Sequence, residues 1–290
     1  MDYQLLISGL QIRLCMPFAM RPHKSLLPFL SESPTPHWDV RYTILPSPQK
    51  TPIPADAPCV FVDGRMQVFH TENGDVRCFP IWDADARSTR NPILYPAAPN
   101  DFRLYYPPEQ LGSLRELADF TNFLGIETVL AGFGRFLLHS SVVRLHNRAV
   151  LFSAASGVGK STQAELWRKC FQAEILNGDR SIIEESDGKF IAHGSPFSGS
   201  SQIYRNEAAE IRCIFLLEQA AKNEIVPVAQ ADAVRALFRE SVVALWDQAQ
   251  TAAVLDELLC LTASVPVLRL RCLPNEAAAS LAMAAAFPGK

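Results

Sequence analysis

Residues 149–171 constrain the fold more tightly than any other stretch of the chain. Ala149-Val150-Leu151-Phe152 is a short continuous apolar run, the pattern of a strand buried on both faces. It leads into Ala154-Ala155-Ser156-Gly157-Val158-Gly159-Lys160-Ser161-Thr162, which ends in the Gly-Lys-[Ser/Thr] of a phosphate loop, with Ala154 where that pattern has its first glycine. Ala164, Trp167 and Phe171 then fall at i, i+3 and i+7, one apolar face of a helix. A buried strand, a glycine turn and a helix N-terminus in that order belong to an α/β fold.

The order has a chemical consequence. Backbone N–H groups of a glycine-rich turn, together with the unsatisfied N–H groups and positive dipole end of a helix, converge on one point and favour an anion there. On this reading Ala155, Ser156, Gly157, Val158, Gly159, Lys160, Ser161 and Thr162 cradle the phosphates of a nucleoside triphosphate. Lys160 supplies a point charge toward the β- and γ-phosphates, and the Ser161 hydroxyl is a hard oxygen ligand for Mg²⁺.

The rest of the sequence bounds the setting. The 290 residues suffice for one large or two ordinary domains. A net charge of −3 gives no electrostatic case for a nucleic-acid partner or an anionic membrane surface. Nothing approaches the ~20 consecutive apolar residues of a membrane span. The first residues lack the basic region of a secretory signal. Seven cysteines without a C-x-x-C pair argue for free buried thiols in a reducing cytoplasm.

Residues 1–108 hold 16 of the 21 prolines, a composition shift that divides the chain into 1–108 and 109–290. Proline is excluded from central strands and helix interiors, so the first part reads as a small β-rich module of meander type. Two hairpins are expected there, Cys59–Val62 with Arg65–His70 and Met66–His70 with Val76–Ile81.

Past Pro107-Pro108, Leu111, Leu114, Leu117, Ala118 and Phe123 lie along one helix face, and 126–136 reads as a further helix. A hairpin through His146-Asn147 then delivers the chain to the loop. Glu174–Asn177 is a strand ending at Gly178-Asp179-Arg180, which puts a carboxylate on the side of a parallel sheet where ligands bind. A hairpin turns at Asp187-Gly188, and the small, polar 194–201 has the composition either of a loop that approaches a ligand or of a plain linker. Residues 212–217 and 265–270 read as strands, 232–247 and 276 onward as helices.

Several of these stretches together resemble the HPr kinase/phosphorylase superfamily, related to the phosphoenolpyruvate carboxykinases, in its divergent HPr-kinase-like branch. The carriers are Leu137-Leu138-His139-Ser140-Ser141, the loop Ser156–Thr162, Asn177-Gly178-Asp179-Arg180, Gly194–Gly199 and Glu218-Gln219. The resemblance covers roughly 111–275. It implies an α/β (α+β) P-loop kinase core of HPr kinase type, here preceded by the small β-rich domain, and it implies a kinase using ATP and Mg²⁺. By position, Lys160 would bind the transferring phosphate, Asp179 would be the base toward an acceptor hydroxyl and a metal ligand with Ser161, and His139 would match the active-site histidine. The acceptor would be a hydroxyl on a protein, peptide or small molecule. Because the relatives assemble, a homo-oligomer is also implied, although no stretch identifies an interface.

The sequence departs from that pattern at three places. A paired aspartate is Gly178-Asp179 here, the glutamate after the loop serine is Thr162, and the later loop shows no evident acidic metal ligand. Two readings stay open on these residues: a phosphotransferase, favoured by Lys160, Ser161 and Asp179 occurring together, and a nucleotide-dependent binding or regulatory module with reduced chemistry. A motor-type P-loop ATPase fits less well, since no apolar strand ends in an Asp-Glu pair.

Overall fold

The computed structural model describes residues 1–31, 36–111, 122–197 and 199–289. Leu114, Leu117, Ala118 and Ser198 lie outside these. The chain divides into two compact units, Met1–Val129 and Leu130–Lys290, with the division beyond Pro108 and inside a helix.

The first unit is a mixed eight-stranded sheet built from β1 (Asp2–Ile7), β2 (Leu10–Cys15), β3 (Val40–Pro46), β4 (Cys59–Val62), β5 (Gln67–Thr71), β6 (Gly74–Cys78), β7 (Ile93–Ala98) and β8 (Asp101–Tyr106). Its order is β1-β2-β3-β8-β7-β6-β5-β4. The meander expected from the sequence holds for β4 to β8, including both hairpins, whereas β3 pairs in parallel with β2 and β8. Alternate residues of β2 and β3 are buried, as one covered face requires. Helices α1 (Pro108–Leu111) and α2 (Ile126–Gly132) follow. The nearly buried Arg77 donates to Glu127 and to the Thr128 hydroxyl at 2.7 Å, which ties the start of α2 to β6.

The second unit contains β9 (Arg135–Leu145), β10 (Arg148–Ser153), α3 (Lys160–Phe171), β11 (Glu174–Asn177), β12 (Arg180–Ser186), β13 (Lys189–His193), β14 (Ala208–Gln219), β15 (Glu224–Pro227), α4 (Gln230–Glu240), β16 (Ser241–Val242), α5 (Gln248–Ser264), β17 (Val267–Cys272) and α6 (Glu276–Ala286). The nine strands form one mixed sheet. β10, β14 and β17 are adjacent and parallel, while β9, β12 and β13 join by antiparallel pairing. Positive φ at both central residues, His146-Asn147 and Asp187-Gly188, supplies the twist that two-residue hairpins need.

Ala149–Phe152 is completely buried, as its unbroken apolar run requires. Leu151 faces a core closed by Val234 and Leu237 of α4 and by Val254, Leu258 and Leu261 of α5. Phe152 faces the other side, where Trp167 of α3 and Ala279 and Ala282 of α6 pack. Its ring meets Trp167 edge-on at 5.6 Å and stacks on Phe215 at 5.7 Å.

Three elements differ from the sequence reading. The helix expected over 126–136 stops at Gly132, and Arg135 and Phe136 already belong to β9; Gly134, at φ +65°, turns the chain out of the helix. The helix expected over 232–247 stops at Glu240, because Ser241 is extended and β16 pairs with β9. The 17-residue α5 had no counterpart in that reading. Among the described residues, no helix is long and apolar enough to cross a membrane. All seven cysteines are free, with Cys59 and Cys260 exposed and not buried.

Candidate functional site

Strand β9 changes partner on both edges at the same place. On one edge β10 pairs up to Ser153↔Ser140, then peels away, and β16 takes over at Ser241↔Leu138. On the other edge β11 ends at Asn177↔Val142 and β12 begins at Arg180↔His139. His139 lies between these breaks. The first releases the glycine loop, the second is Gly178-Asp179, and Glu240 is the residue immediately before β16.

The side chains follow from that register. His139 Nε2 is 3.2 Å from Asp179 Oδ1, and Nδ1 is 3.0 Å from Glu240 Oε2. The His139 carbonyl accepts from the Ser153 hydroxyl at 3.1 Å. The Ser141 hydroxyl donates to the Lys160 carbonyl at 2.9 Å, tying the first residue of α3 to β9. Ser161 Oγ lies 3.4 Å from the Gly178 carbonyl, so the helix N-terminus abuts the segment that carries Asp179.

The loop itself has the backbone its composition demands. Gly157 and Gly159 adopt φ +81° and +125°, and a Cβ at either would point into open space. Gly159 caps α3 without a side chain to accept from the first N–H groups, which leaves them directed outward. Lys160 is 6% exposed, and its Nζ donates to the carbonyls of Ala154 at 2.8 Å and Ala155 at 3.2 Å. Burial pushes the Lys160 ammonium below its ordinary value, against the pull of Glu240 and Asp179. Asp179 moves below its ordinary carboxylate value, chiefly through the His139 hydrogen bond and against a desolvation penalty.

Asn177 fixes this geometry from beneath. Fully buried, it accepts the N–H groups of Asp179 and Arg180, each at 2.8 Å, on Oδ1. Its Nδ2 donates to the carbonyls of Ser195 and Phe197, each at 3.0 Å. Ser195, Phe197 and Gly199 are therefore held against the site: Ser195 is buried, and a Cβ on Gly199 would lie 2.9 Å from Asp179 Cγ. Gly178 is required for a similar reason, since a Cβ there would strike the Ser201 hydroxyl.

Two clefts border the loop. One, of about 220 Å³, is lined by Ser153, Ala154, Glu218, Arg239, Glu240 and Arg269. The other, of about 450 Å³, is walled in part by Val158, Gln163, Leu217 and Leu273. Gln219 Nε2 lies 3.5 and 3.4 Å from the carbonyls of Gly157 and Val158, while Glu218 pairs with Arg269 and Arg271.

The structure thus brings together His139, Lys160, Ser161 and Asp179, with the loop 155–162 beside them. Glu240 is the member that sequence reasoning missed. The sequence carried no signal for it, because the helix read over 232–247 puts Glu240 in its middle, whereas the structure ends that helix at Glu240. Among the described residues, no cluster of three or more His, Cys, Asp or Glu could hold a metal ion by itself.

Fold and site define a mixed α/β protein in which a strand–glycine loop–helix lies beside a Glu–His–Asp array. The chain belongs to the ScmC family: the family described as SynChlorMet cassette protein ScmC matches residues 122–273, just over half of the chain. No curated protein sequence matches. Among solved structures, the Hpr(Ser) kinase/phosphatase from Coxiella burnetii is similar at 12% identity and a TM-score of 0.24, over 32% of this chain and 64% of that one.

Proposed function

We propose that the chain is an ATP-dependent phosphotransferase, built on a P-loop core of HPr kinase type, that moves the γ-phosphate to a hydroxyl of a protein, peptide or small molecule. The observation that carries this reading is the placement of Asp179 beside His139 and against the N-terminus of α3, next to Lys160 and Ser161. A phosphoryl-transfer transition state needs charge neutralisation at the phosphate oxygens and an oriented nucleophile, and these residues supply one of each.

The open, positive-φ glycines and the uncapped helix N-terminus fit a phosphate group. Lys160 is held close to that position by the loop carbonyls. The Ser161 hydroxyl and the Asp179 carboxylate are hard oxygen donors flanking Gly178 and fit Mg²⁺, which takes few protein ligands and completes its shell with water and phosphate oxygens. Bound there, the metal would neutralise phosphate charge.

Asp179, ionised and hydrogen-bonded to His139, would accept a hydrogen bond from the acceptor hydroxyl. It would take that proton as the new O–P bond forms and the bond to the nucleoside diphosphate breaks. A carboxylate of lowered pKa is a poor base in the ground state, so its contribution is to orient the hydroxyl and receive the proton late, as a loose transition state allows.

Calorimetry with Mg·ATP tests the reading. Binding should occur in the full chain and be lost in Lys160→Ala; unchanged affinity in that variant defeats the assignment. Asp179→Asn should retain binding, and in a screen of peptides, hydroxy amino acids and sugars with labelled ATP it should transfer about 10²-fold more slowly than the parent.

A further inference from the structure

The smaller cleft shares three residues with the contacts of the site. Glu240 lines it and lies 3.0 Å from His139 Nδ1. Ser153 lines it and donates to the His139 carbonyl at 3.1 Å, and Ala154 lines it and accepts from Lys160 Nζ at 2.8 Å. The cleft also lies at the carboxyl ends of the adjacent parallel strands β10 and β14, where α/β sheets present ligands.

Arg239 sets this cleft apart. It stands in the last turn of α4, and among the described residues its guanidinium has neither an ion pair nor a hydrogen bond. Every other arginine of the second unit has a partner. Exposure does not account for the difference, since the side chains of Arg168 and Arg235 are 58% and 67% exposed and still pair with Glu165 and Asp232. The carboxylates that share the cleft are already engaged. Glu218 accepts from Arg271 at 2.9 Å and from Arg269 at 3.4 Å, and Glu240 faces His139. A planar guanidinium left without a carboxylate matches one geometrically, through two parallel N–H donors.

The same lining separates the classes of acceptor. A serine or threonine within a polypeptide brings a hydroxyl but no free carboxylate, and so does a neutral sugar; either leaves Arg239 unmatched. The several charges of a polyphosphate are opposed here by Glu218 and Glu240, whereas a single carboxylate balances Arg239. At about 220 Å³ the cleft falls below the roughly 300–1,000 Å³ of pockets for larger ligands, which suits a short carbon skeleton against Ala154 and Ala236.

We infer that the acceptor is a small hydroxy acid, free hydroxy amino acids included, whose carboxylate is held by Arg239 in this cleft while its hydroxyl is presented to Asp179. The inference rests on the phosphotransferase reading and adds to it the class of acceptor. The acceptor oxygen forms its bond to the γ-phosphorus and gives its proton to Asp179. The bond from that phosphorus to the nucleoside diphosphate breaks, and the diphosphate leaves with the electron pair.

Matched acceptors test this in the full-length chain with Mg²⁺ and γ-labelled ATP: L-serine against L-serinamide, glycerate against glycerol, and a peptide with an internal serine. In at least one pair the acid should be phosphorylated with a KM about 10- to 10²-fold below that of its neutral partner, the range of one charge-assisted hydrogen bond. Arg239→Gln should raise the KM of that acid by the same factor, with kcat within about twofold and Mg·ATP affinity unchanged, and Arg239→Lys should recover part of the loss. Transfer to neutral or peptide acceptors as efficient as to the acids overturns the inference and leaves the phosphotransferase reading standing. So does an Arg239→Gln variant that loses ATP affinity or slows transfer to every acceptor alike, since Arg239 would then serve the nucleotide. Bound ATP that transfers to no acceptor defeats that reading and the inference with it.

Discussion

Glu240 lies 3.0 Å from Nδ1 of His139, across the ring from Asp179, although 101 residues separate the two in sequence. A neutral imidazole has one N–H, so only a doubly protonated ring donates to both carboxylates. Glu240 also acts on Lys160, whose ammonium it favours against the cost of burial. Glu240→Gln removes that charge and keeps the shape, so Lys160 should lose its proton at a lower pH than in the parent. Nucleotide affinity measured against pH should therefore fall at a lower alkaline pH in the variant; superimposable profiles would mean that Glu240 has no hold on Lys160.

Asn177 joins three pieces of chain around Asp179. Its side chain accepts two backbone N–H groups and donates to two backbone carbonyls, all within a buried pocket. Replacing it by leucine leaves those groups without partners and should lower unfolding free energy by about 3 kcal/mol, the range expected when buried polar groups lose a shared partner. Denaturant titration of Asn177→Leu checks this. A change within about 0.5 kcal/mol, as at ordinary surface positions, would contradict the role.

The local pattern around the loop was open to sequence reading because each piece carries its own chemistry. Ala149–Phe152 can only be a doubly buried strand, and Gly157 and Gly159 sit at positive φ. Asp179 was legible as a carboxylate ending a strand. Glu240 was not, because its place depends on β16, two residues whose pairing with β9 is set by tertiary contact and not by periodicity. The Val242 and Leu245 spacing imitates a helix face that the chain does not follow past Glu240. α5 escaped because apolar and small residues surround it on most sides and blur the 3.6-residue period, although Val254, Leu258 and Leu261 form its buried stripe.

Gly199 leaves no room for a side chain beside Asp179. An alanine there meets Asp179 Cγ at 2.9 Å and Oδ2 at 3.1 Å, at a φ of +53° that side chains seldom adopt. The contact should displace the carboxylate and leave the glycine loop alone. Gly199→Ala is expected to reduce phosphoryl transfer by about 10²-fold, the cost of misplacing a reacting group by about 1 Å, with the affinity for metal-free ATP unchanged. Parallel loss of binding and transfer would instead show that this segment supports the nucleotide.

Acid stability gives a test of the His139–Asp179 contact that needs no substrate. Asp179 titrates below its ordinary value of 3.8 in the folded chain, chiefly because His139 donates to its ionised form. A carboxylate depressed by folding binds fewer protons in the native than in the unfolded state, so stability rises with pH across that window. Its contribution is present above the unfolded value and is lost as pH falls through the folded one. The stability advantage of the parent over Asp179→Asn should thus be fullest at pH 6 and shrink steadily below about pH 4. Denaturant titrations of both proteins across that range measure it. A gap that stays constant down to pH 3 would mean that the contact does not favour the ionised carboxylate.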